Sequence, residues 1–557
     1  NNLYSILYGD ALLTYTKRLS PNFELNVMGG YMATKDVATF VSRGTNGGLS
    51  TENLFDIAAT INVANSGSSR SALVKDAYIG TINLDYKGYL FVEGTIRRDR
   101  TSTMNPENNS FIYPSVNTSF IFTDAFNLPD FISFGKLRGS YGVVGNYPDI
   151  YRANIAYNQG TLGIQAVGGT PVLYTNISSS FGNDLIRPEQ KKEFEFGLEA
   201  RFLKNRITFE ASYYNAQIVD QILPLTLAST SGATSVLTNI GTLRNKGLEL
   251  SLRGTVAKTN NLFWEIGVNY SSNKNVVEKL ANNATELLHA DYDGSAAQLR
   301  SVVGQPMGDF YVPPVATSAN GQQIVNANGL YQLDSRNWIK VGNAMPKAVG
   351  GFFSTLTFKG ITLDALADFR FGGHVMPTGI NWMISRGLLE ESTKFMDKES
   401  GGLSYYVSGG KGVQTTSDKG PNGEQVFNDG MLLPGVLANG EPNSNVISQA
   451  FYYWNVYNWG GPQYSSSRYE LYIVKNSYIK MRELTLGYNL PQSMISKLGF
   501  SKLNLSVFGR NLFYFYRTIK DIDAEQLTSG SRWTQTVNNA GTNPSSRTMG
   551  VMIRASF

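Results

Sequence analysis

Residues 193–202 read Glu193-Phe194-Glu195-Phe196-Gly197-Leu198-Glu199-Ala200-Arg201-Phe202. On an extended chain Phe194, Phe196, Leu198, Ala200 and Phe202 fall on one side, and Glu193, Glu195, Glu199 and Arg201 fall on the other. Successive side chains of a strand point to opposite faces, so a period of two marks a strand with one apolar and one polar side. The pattern resumes after Lys204-Asn205, with Ile207, Phe209, Ala211 and Tyr213 set against Thr208, Glu210 and Ser212. That short link suits a tight hairpin.

The same alternation recurs along the chain. Leu248, Leu250 and Leu252 alternate with Glu249, Ser251 and Arg253, and Ile361, Leu363, Ala365 and Ala367 with Thr362, Asp364 and Asp368. Leu503, Leu505 and Val507 repeat it around Asn504 and Ser506. Fifteen strands are predicted, near 11–19, 22–36, 73–87, 89–101, 110–124, 133–144, 191–203, 206–221, 243–255, 260–275, 346–358, 361–373, 478–490, 501–513 and 546–557. Most have 12 residues or more, where globular strands have about five or six.

The connections sort into two sets. Short links fall at 20–21, 88, 125–132, 204–205, 256–259, 359–360 and 491–500. Long ones fall at 37–72, 145–190, 222–242, 276–345, 374–477 and 514–545, with 102–109 the one short member of that set. Such sorting puts turns at one end of a sheet and large loops at the other, which is the asymmetry of an outer-membrane barrel. Val551, Ile553, Ala555 and Phe557 continue the alternation to an aromatic C-terminus, like the assembly signal of bacterial outer-membrane proteins. The expected fold is all-β: a transmembrane antiparallel β-barrel.

Composition agrees with that reading and removes others. The 557 residues contain no Cys and only two His, His289 and His374. Disulfide scaffolds, thiol nucleophiles and Cys-ligated metals are therefore excluded, and His-based acid–base schemes are disfavoured. The net charge of +5 comes without a basic run, so a nucleic-acid reader is not expected. The 31 Tyr and 30 Phe favour strands over helices. No run of 18 apolar residues offers a transmembrane helix, but window hydropathy does not detect barrels.

Several segments resemble the SusC/RagA family of TonB-dependent outer-membrane transporters of Bacteroidota. They are Leu137-Arg138-Gly139-Ser140-Tyr141-Gly142-Val143-Val144-Gly145-Asn146, then Asn239-Ile240-Gly241 with Asn245-Lys246-Gly247-Leu248-Glu249-Leu250. They continue with Asn476-Ser477-Tyr478-Ile479-Lys480, Leu484-Thr485-Leu486-Gly487-Tyr488-Asn489-Leu490-Pro491 and Gly509-Arg510-Asn511-Leu512-Phe513. The match runs from 133 to 557 and the first 130 residues follow it only in pattern. One departure is Asp523-Ala524-Glu525, where the family commonly has Asp-Pro-Glu. The resemblance implies a barrel of about 22 strands with a plugged lumen. Fifteen is odd, whereas single-chain bacterial barrels have even numbers. About seven strands, the plug, the TonB box and an N-terminal extension are thus expected upstream of Asn1, and no plug is found within 1–557.

The resemblance further implies active uptake of a nutrient oligomer, glycan or oligopeptide, across the bacterial outer membrane. A SusD-like surface lipoprotein would act as lid, and TonB would supply energy from the inner-membrane proton gradient. No catalysis, cofactor or metal is expected. A passive porin or adhesin is the first alternative, and a soluble all-β carbohydrate-binding protein the second. The candidate contact residues are Tyr452, Tyr453, Trp454, Tyr457 and Trp459, in the longest loop and followed by Tyr464, Tyr469 and Tyr472. Exposed aromatic density is costly unless covered. The cluster therefore either packs within its loop, stacks on a ligand or meets a partner protein.

Other motifs weigh less. The glycines at 139–145 and 509 lack the following helix of a phosphate cradle and suit strand bends or close side-chain partners. Asp291, Asp293 and Gly294 are similar to part of a calcium loop, but the expected Glu is missing. Glu193, Glu195, Glu199, Glu210 and Glu249, with Arg201 and Arg253 near, are read as lumen charge rather than a catalytic carboxylate pair.

Overall fold

The computed structural model describes residues 2–153, 157–162, 172–226, 229–292, 296–458, 466–496, 499–525, 537–538 and 543–556. Fifteen long strands form an antiparallel sheet in which hydrogen-bonded neighbours follow chain order. They are β1 Asn2–Ser20, β2 Phe23–Gly44, β3 Asn65–Tyr86, β4 Leu90–Thr101, β5 Ser110–Ile121, β6 Ile132–Asn146, β7 Glu189–Phe202, β8 Ile207–Thr226, β9 Ser235–Lys258, β10 Leu262–Leu280, β11 Pro346–Phe358, β12 Ile361–Gly372, β13 Tyr478–Asn489, β14 Lys502–Arg517 and β15 Thr548–Ser556. A two-residue strand, Ser180–Phe181, adds a parallel pairing to β9. The chain divides into two compact units: Asn1–Asn205, Phe209–Lys246 and Glu278–Asn283 in one, and Arg206–Thr208, Gly247–Val277 and Ala284–Phe557 in the other.

In the first unit the two faces of the sheet separate cleanly. Asn83, Glu93 and Asn117 are register partners across β3, β4 and β5. Both asparagine amides donate to the Glu93 carboxylate at 3.0 Å. One residue along, Ile82, Gly94 and Val116 occupy the opposite face, and Gly80, Ile96 and Pro114 form the next row. Ile82, Ile96, Ile112 and Val116 are each more than half exposed. Water does not tolerate a continuous apolar face of this kind, whereas hydrocarbon does.

The second unit repeats the arrangement. Leu356, Leu363, Leu486, Val507 and Val551 form one row across β11 to β15, and Ile361, Tyr488, Leu505 and Ile553 form the next. Val507 and Val551 are 52% and 77% exposed. The other face is polar: the Thr355 hydroxyl donates to Asp364 at 2.7 Å, and Thr357 meets Thr362 at 3.0 Å. Among the described residues no helix is long and apolar enough to cross a membrane.

All fifteen predicted strands are present, but several run further than their alternation. β2 extends to Gly44 and β3 begins at Asn65, which shortens the predicted 37–72 loop to 45–64. Likewise β8 and β9 reduce the 222–242 loop to 227–234. The added tip of β3, Asn65–Ser71, is polar. Ser66–Ser71 pair with Ala38–Arg43 through backbone ladder bonds, which need no apolar side chain. The short links are tight: Lys87-Gly88 and Lys359-Gly360 have φ of 53° and 72°, and 47° and 86°. Both positions of such turns require positive φ, which is why Gly stands second in each. Leu203, Lys204 and Asn205 also have positive φ, making the link at 204–205 the hairpin expected. β1 and β15 each have a strand partner on one side only among the described residues.

Candidate functional site

The connection 373–477 shares its buried core with the 281–345 connection. Four short strands within 373–477, Leu403–Ser408, Lys411–Gln414, Val426–Met431 and Ile447–Ser448, form a sheet. The helix α2 Gln449–Val456 packs on that sheet, and α1 Thr378–Ser385 packs on α2. Ser448 starts α2 as its N-cap, its hydroxyl accepting from the Phe451 amide at 3.1 Å. The 281–345 connection contributes a second four-stranded sheet. Leu299, Phe310, Met376, Tyr469 and Tyr472 are buried together, as are Val325, Leu330, Leu433, Ile447 and Val456.

α2 divides the predicted aromatic cluster. Tyr453 is buried, and its hydroxyl donates to the Glu391 carbonyl at 2.7 Å. Tyr452 and Tyr457 are half-buried against the loop core. Ring centroids step from Tyr452 to Tyr453 at 5.3 Å, to Tyr457 at 5.6 Å and to Tyr472 at 6.1 Å. Burial pushes the hydroxyls of Tyr452, Tyr453 and Tyr457 up, so they remain neutral donors. Trp454 differs: it is 45% exposed and shares the open face of α2 with Phe451, 40% exposed. The Arg386 guanidinium lies over the Trp454 ring at 4.2 Å and over Trp382 at 5.1 Å. Trp459 and Tyr464 lie outside the described residues.

Trp382 leads to a cavity of about 810 Å³ that sequence reading did not anticipate. Its lining includes Lys480, Tyr514, Arg517, Lys520, Asp521, Asp523 and Arg547. Beside it a charge network ties the loop after β14 to the strands. Glu525 accepts from Lys480 and from Arg482. Arg482 also grips Asp368 through two hydrogen bonds of 2.8 and 2.7 Å. Asp523 accepts from the Tyr514 hydroxyl at 2.5 Å, the Ser545 amide at 2.6 Å and the Glu525 amide at 3.1 Å. Burial opposes ionisation of Asp523, yet the donors of Ser545, Tyr514 and Glu525 outweigh it and hold the carboxyl down to about 2. Burial likewise opposes ionisation of Glu525, and Arg482 and Lys480 keep it below the usual carboxylate range. At position 524 the network uses only the backbone: the Asn476 amide donates to the Ala524 carbonyl at 2.9 Å. Alanine and proline offer that carbonyl equally.

Several of the remaining sequence candidates have structural partners. Glu195 meets Arg138 at 3.2 Å, Glu199 meets Arg201 at 2.7 Å, Glu193 meets Lys191 at 2.6 Å, and Arg253 pairs with Glu265 at 3.2 Å. Gly145 sits in β6 where a Cβ would collide with the Tyr113 ring, so it serves packing. Asp291 accepts from the Gln298 amide at 3.2 Å. Asp293, Gly294 and Phe557 lie outside the described residues. Burial drives His289 down to about 4, which keeps it neutral, 2.7 Å from the Ser301 hydroxyl.

Comparison with known proteins agrees with this architecture. The family described as TonB dependent receptor-like, beta-barrel matches residues 2–388. TonB-dependent receptors P3 and P26 of Formosa agariphila are 24% and 23% identical over 90% and 98% of this chain, and 47% and 52% of their own length. TonB-dependent receptor SusC of Bacteroides thetaiotaomicron is 24% identical over 48% of this chain and 28% of its own. In fold, the RagAB peptide transporter matches 100% of this chain and 56% of its own, with a TM-score of 0.71 at 17% identity. The chain thus spans about half the length of the relatives it matches across most of its own. With fifteen long antiparallel strands and a family match over most of them, the chain belongs to the TonB-dependent receptor β-barrel family, transporters and receptors rather than enzymes, with SusC among its relatives and RagAB alike in fold.

Proposed function

We propose that this chain works in active import of a nutrient oligomer, a glycan or an oligopeptide, across the bacterial outer membrane. TonB would drive it through segments outside this chain, which would also supply the plug and the remaining strands. A SusD-like lipoprotein would cover the loops. The observation that carries this reading is the family match over strands that present apolar rows outward and folded connections at one end. A passive pore has no need of two folded loop cores, since loops this long are usually functional or disordered.

Within this reading the predicted aromatic residues take separate tasks. Tyr452, Tyr453 and Tyr457 hold α2 on its loop core, and Trp459 follows them in sequence. Trp454, with Phe451, offers the contact surface. Trp and Phe lose little rotamer freedom on binding, which suits lid docking or stacking on a sugar ring. The test is gene deletion and complementation. Loss of the gene should abolish growth on one class of oligomer, and the complete protein should co-purify with a surface lipoprotein. A Phe451→Ala, Trp454→Ala variant should weaken that co-purification or uptake at unchanged barrel yield. Unaltered growth of the deletion strain on every glycan and peptide source supplied would reject the proposal.

A further inference from the structure

The cavity beside α1 has an unbalanced set of charges. Lys480 is 2% exposed and paired with Glu525, and Arg482 is shared by Glu525 and Asp368, so these four groups neutralise one another. The remaining lining cations are Arg517, Lys520 and Arg547. Arg517 rests over the Tyr514 ring at 5.2 Å. Among the described residues none of the three has a carboxylate within ion-pairing distance. Two carboxylates also line the cavity, Asp521 and Asp523. Both oxygens of Asp523 are already occupied by the Tyr514 hydroxyl, the Ser545 amide and hydroxyl and the Glu525 amide.

The adjoining sequence cannot supply the missing acid. Residues 526–547 contain no Asp or Glu. The cavity lining is therefore rich in uncommitted charged donors, and Asp521 is the carboxylate that opposes them. Lys520 and Arg547 are exposed, so their ammonium and guanidinium groups are free to meet a ligand. The Trp382 indole completes the wall with a flat apolar surface.

We infer that this cavity is a subsite for a short polycarboxylate, one segment of an acidic oligomer. Its carboxylates would bridge Arg517, Lys520 and Arg547, and its apolar faces would lie on Trp382. Guanidinium–carboxylate contacts are directional and charge-assisted, which selects oxyanions over hydroxyls. The inference rests on the importer reading and narrows its substrate class. The carboxylates can belong to a uronic-acid oligosaccharide or to an acidic peptide.

The test is calorimetric titration of the complete purified transporter with four probes: hexagalacturonate, neutral maltohexaose, hexaglutamate and neutral hexaserine. One acidic probe should bind at least tenfold more tightly than its neutral counterpart, and which one does so names the source. Added salt should weaken that binding. A Lys520→Gln, Arg547→Gln variant should lose roughly tenfold in affinity for the acidic probe, as two exposed charge contacts allow. Asp521→Asn should gain affinity, a change in the opposite direction that cannot follow from misfolding. Equal binding of acidic and neutral probes, an unaffected double variant, or no binding by either acidic probe would overturn the inference. Failure of the importer reading has a separate signature: acidic probes bind with these dependences, but intact cells do not accumulate them.

Discussion

Single residues carry the division between lipid and lumen. Ile96 lies in an apolar row of the outward face, while its neighbour Thr95 meets Ser115 at 2.5 Å on the inward one. Ile96→Arg should cost roughly 2–4 kcal/mol if it lies near the bilayer midplane, because the charge enters hydrocarbon. Leu250→Arg on β9 should behave alike, and Glu249→Gln should leave assembly unchanged. Yield of heat-modifiable folded barrel is the readout. Equal effects of Leu250→Arg and Glu249→Gln would place the β9 register one residue off.

The charge network also answers to single substitutions. Glu525→Gln leaves the buried Lys480 without its carboxylate, at a cost of roughly 3–5 kcal/mol. A Lys480→Met, Glu525→Leu double variant should cost less than the single one, since no lone charge then remains buried. A double variant worse than Glu525→Gln would refute the pairing. Asp523 gives a pH test. Its folded carboxyl is held down to about 2 from an ordinary 3.8. A depressed carboxyl stabilises fully above its unfolded value and loses that contribution as pH falls through its folded one. Exchange protection of the Ser545 and Glu525 amides, corrected for intrinsic rate, should stay level to about pH 4 and fall toward pH 2. A level profile throughout would show that Asp523 does not hold this loop.

At the scale of elements, β1 and β15 are the exposed question. Leu3, Leu7 and Leu13 of β1 are 68%, 71% and 78% exposed, and its outer edge has no partner among the described residues. Lipid does not tolerate unpaired backbone. In the complete protein both edges should therefore pair with strands outside this numbering. Backbone amide exchange reads this out: alternate amides of β1 and β15 facing outward should be as protected as those facing inward. Fast-exchanging outer amides would contradict it. The loop core behaves as a separate element: Phe310→Ala should remove roughly 3–5 kcal/mol from it while leaving barrel assembly intact.

These elements were unequally legible in the sequence. Spanning strands announce themselves because two solvents impose period two over 12 or more residues, as at Phe194 to Phe202. The polar strand tips at Ser66–Ser71 do not, since no hydrocarbon faces them. The loop sheets escape for another reason: strands such as Lys411–Gln414 and Ile447–Ser448 are too short to establish a period. Aromatic density drew attention to this loop without saying which rings pack and which stay open, and only the α2 face separates exposed Trp454 from buried Tyr453. The network at Glu525 joins residues 45 positions from Lys480, a distance that strand topology alone bridges. Its two halves did stand out, as Asn476–Lys480 and Asp523–Glu525, through likeness to a family rather than through any local pattern.

For the whole molecule, sorted connections and apolar rows reflect one physical demand. Every backbone group within the bilayer must be paired, so the strands run continuously and variation is pushed into loops. The loops at one end then have room for folded cores, an exposed Trp454 and a basic cavity. On the proposed function, transport would be energised rather than passive. The most direct measurement is uptake of a labelled substrate oligomer by intact cells bearing the complete protein, with and without a protonophore. Accumulation above the external concentration that collapses when the proton gradient is removed is the expected result. Uptake that only equilibrates, unaffected by the protonophore or by loss of TonB, would contradict it and leave a passive porin.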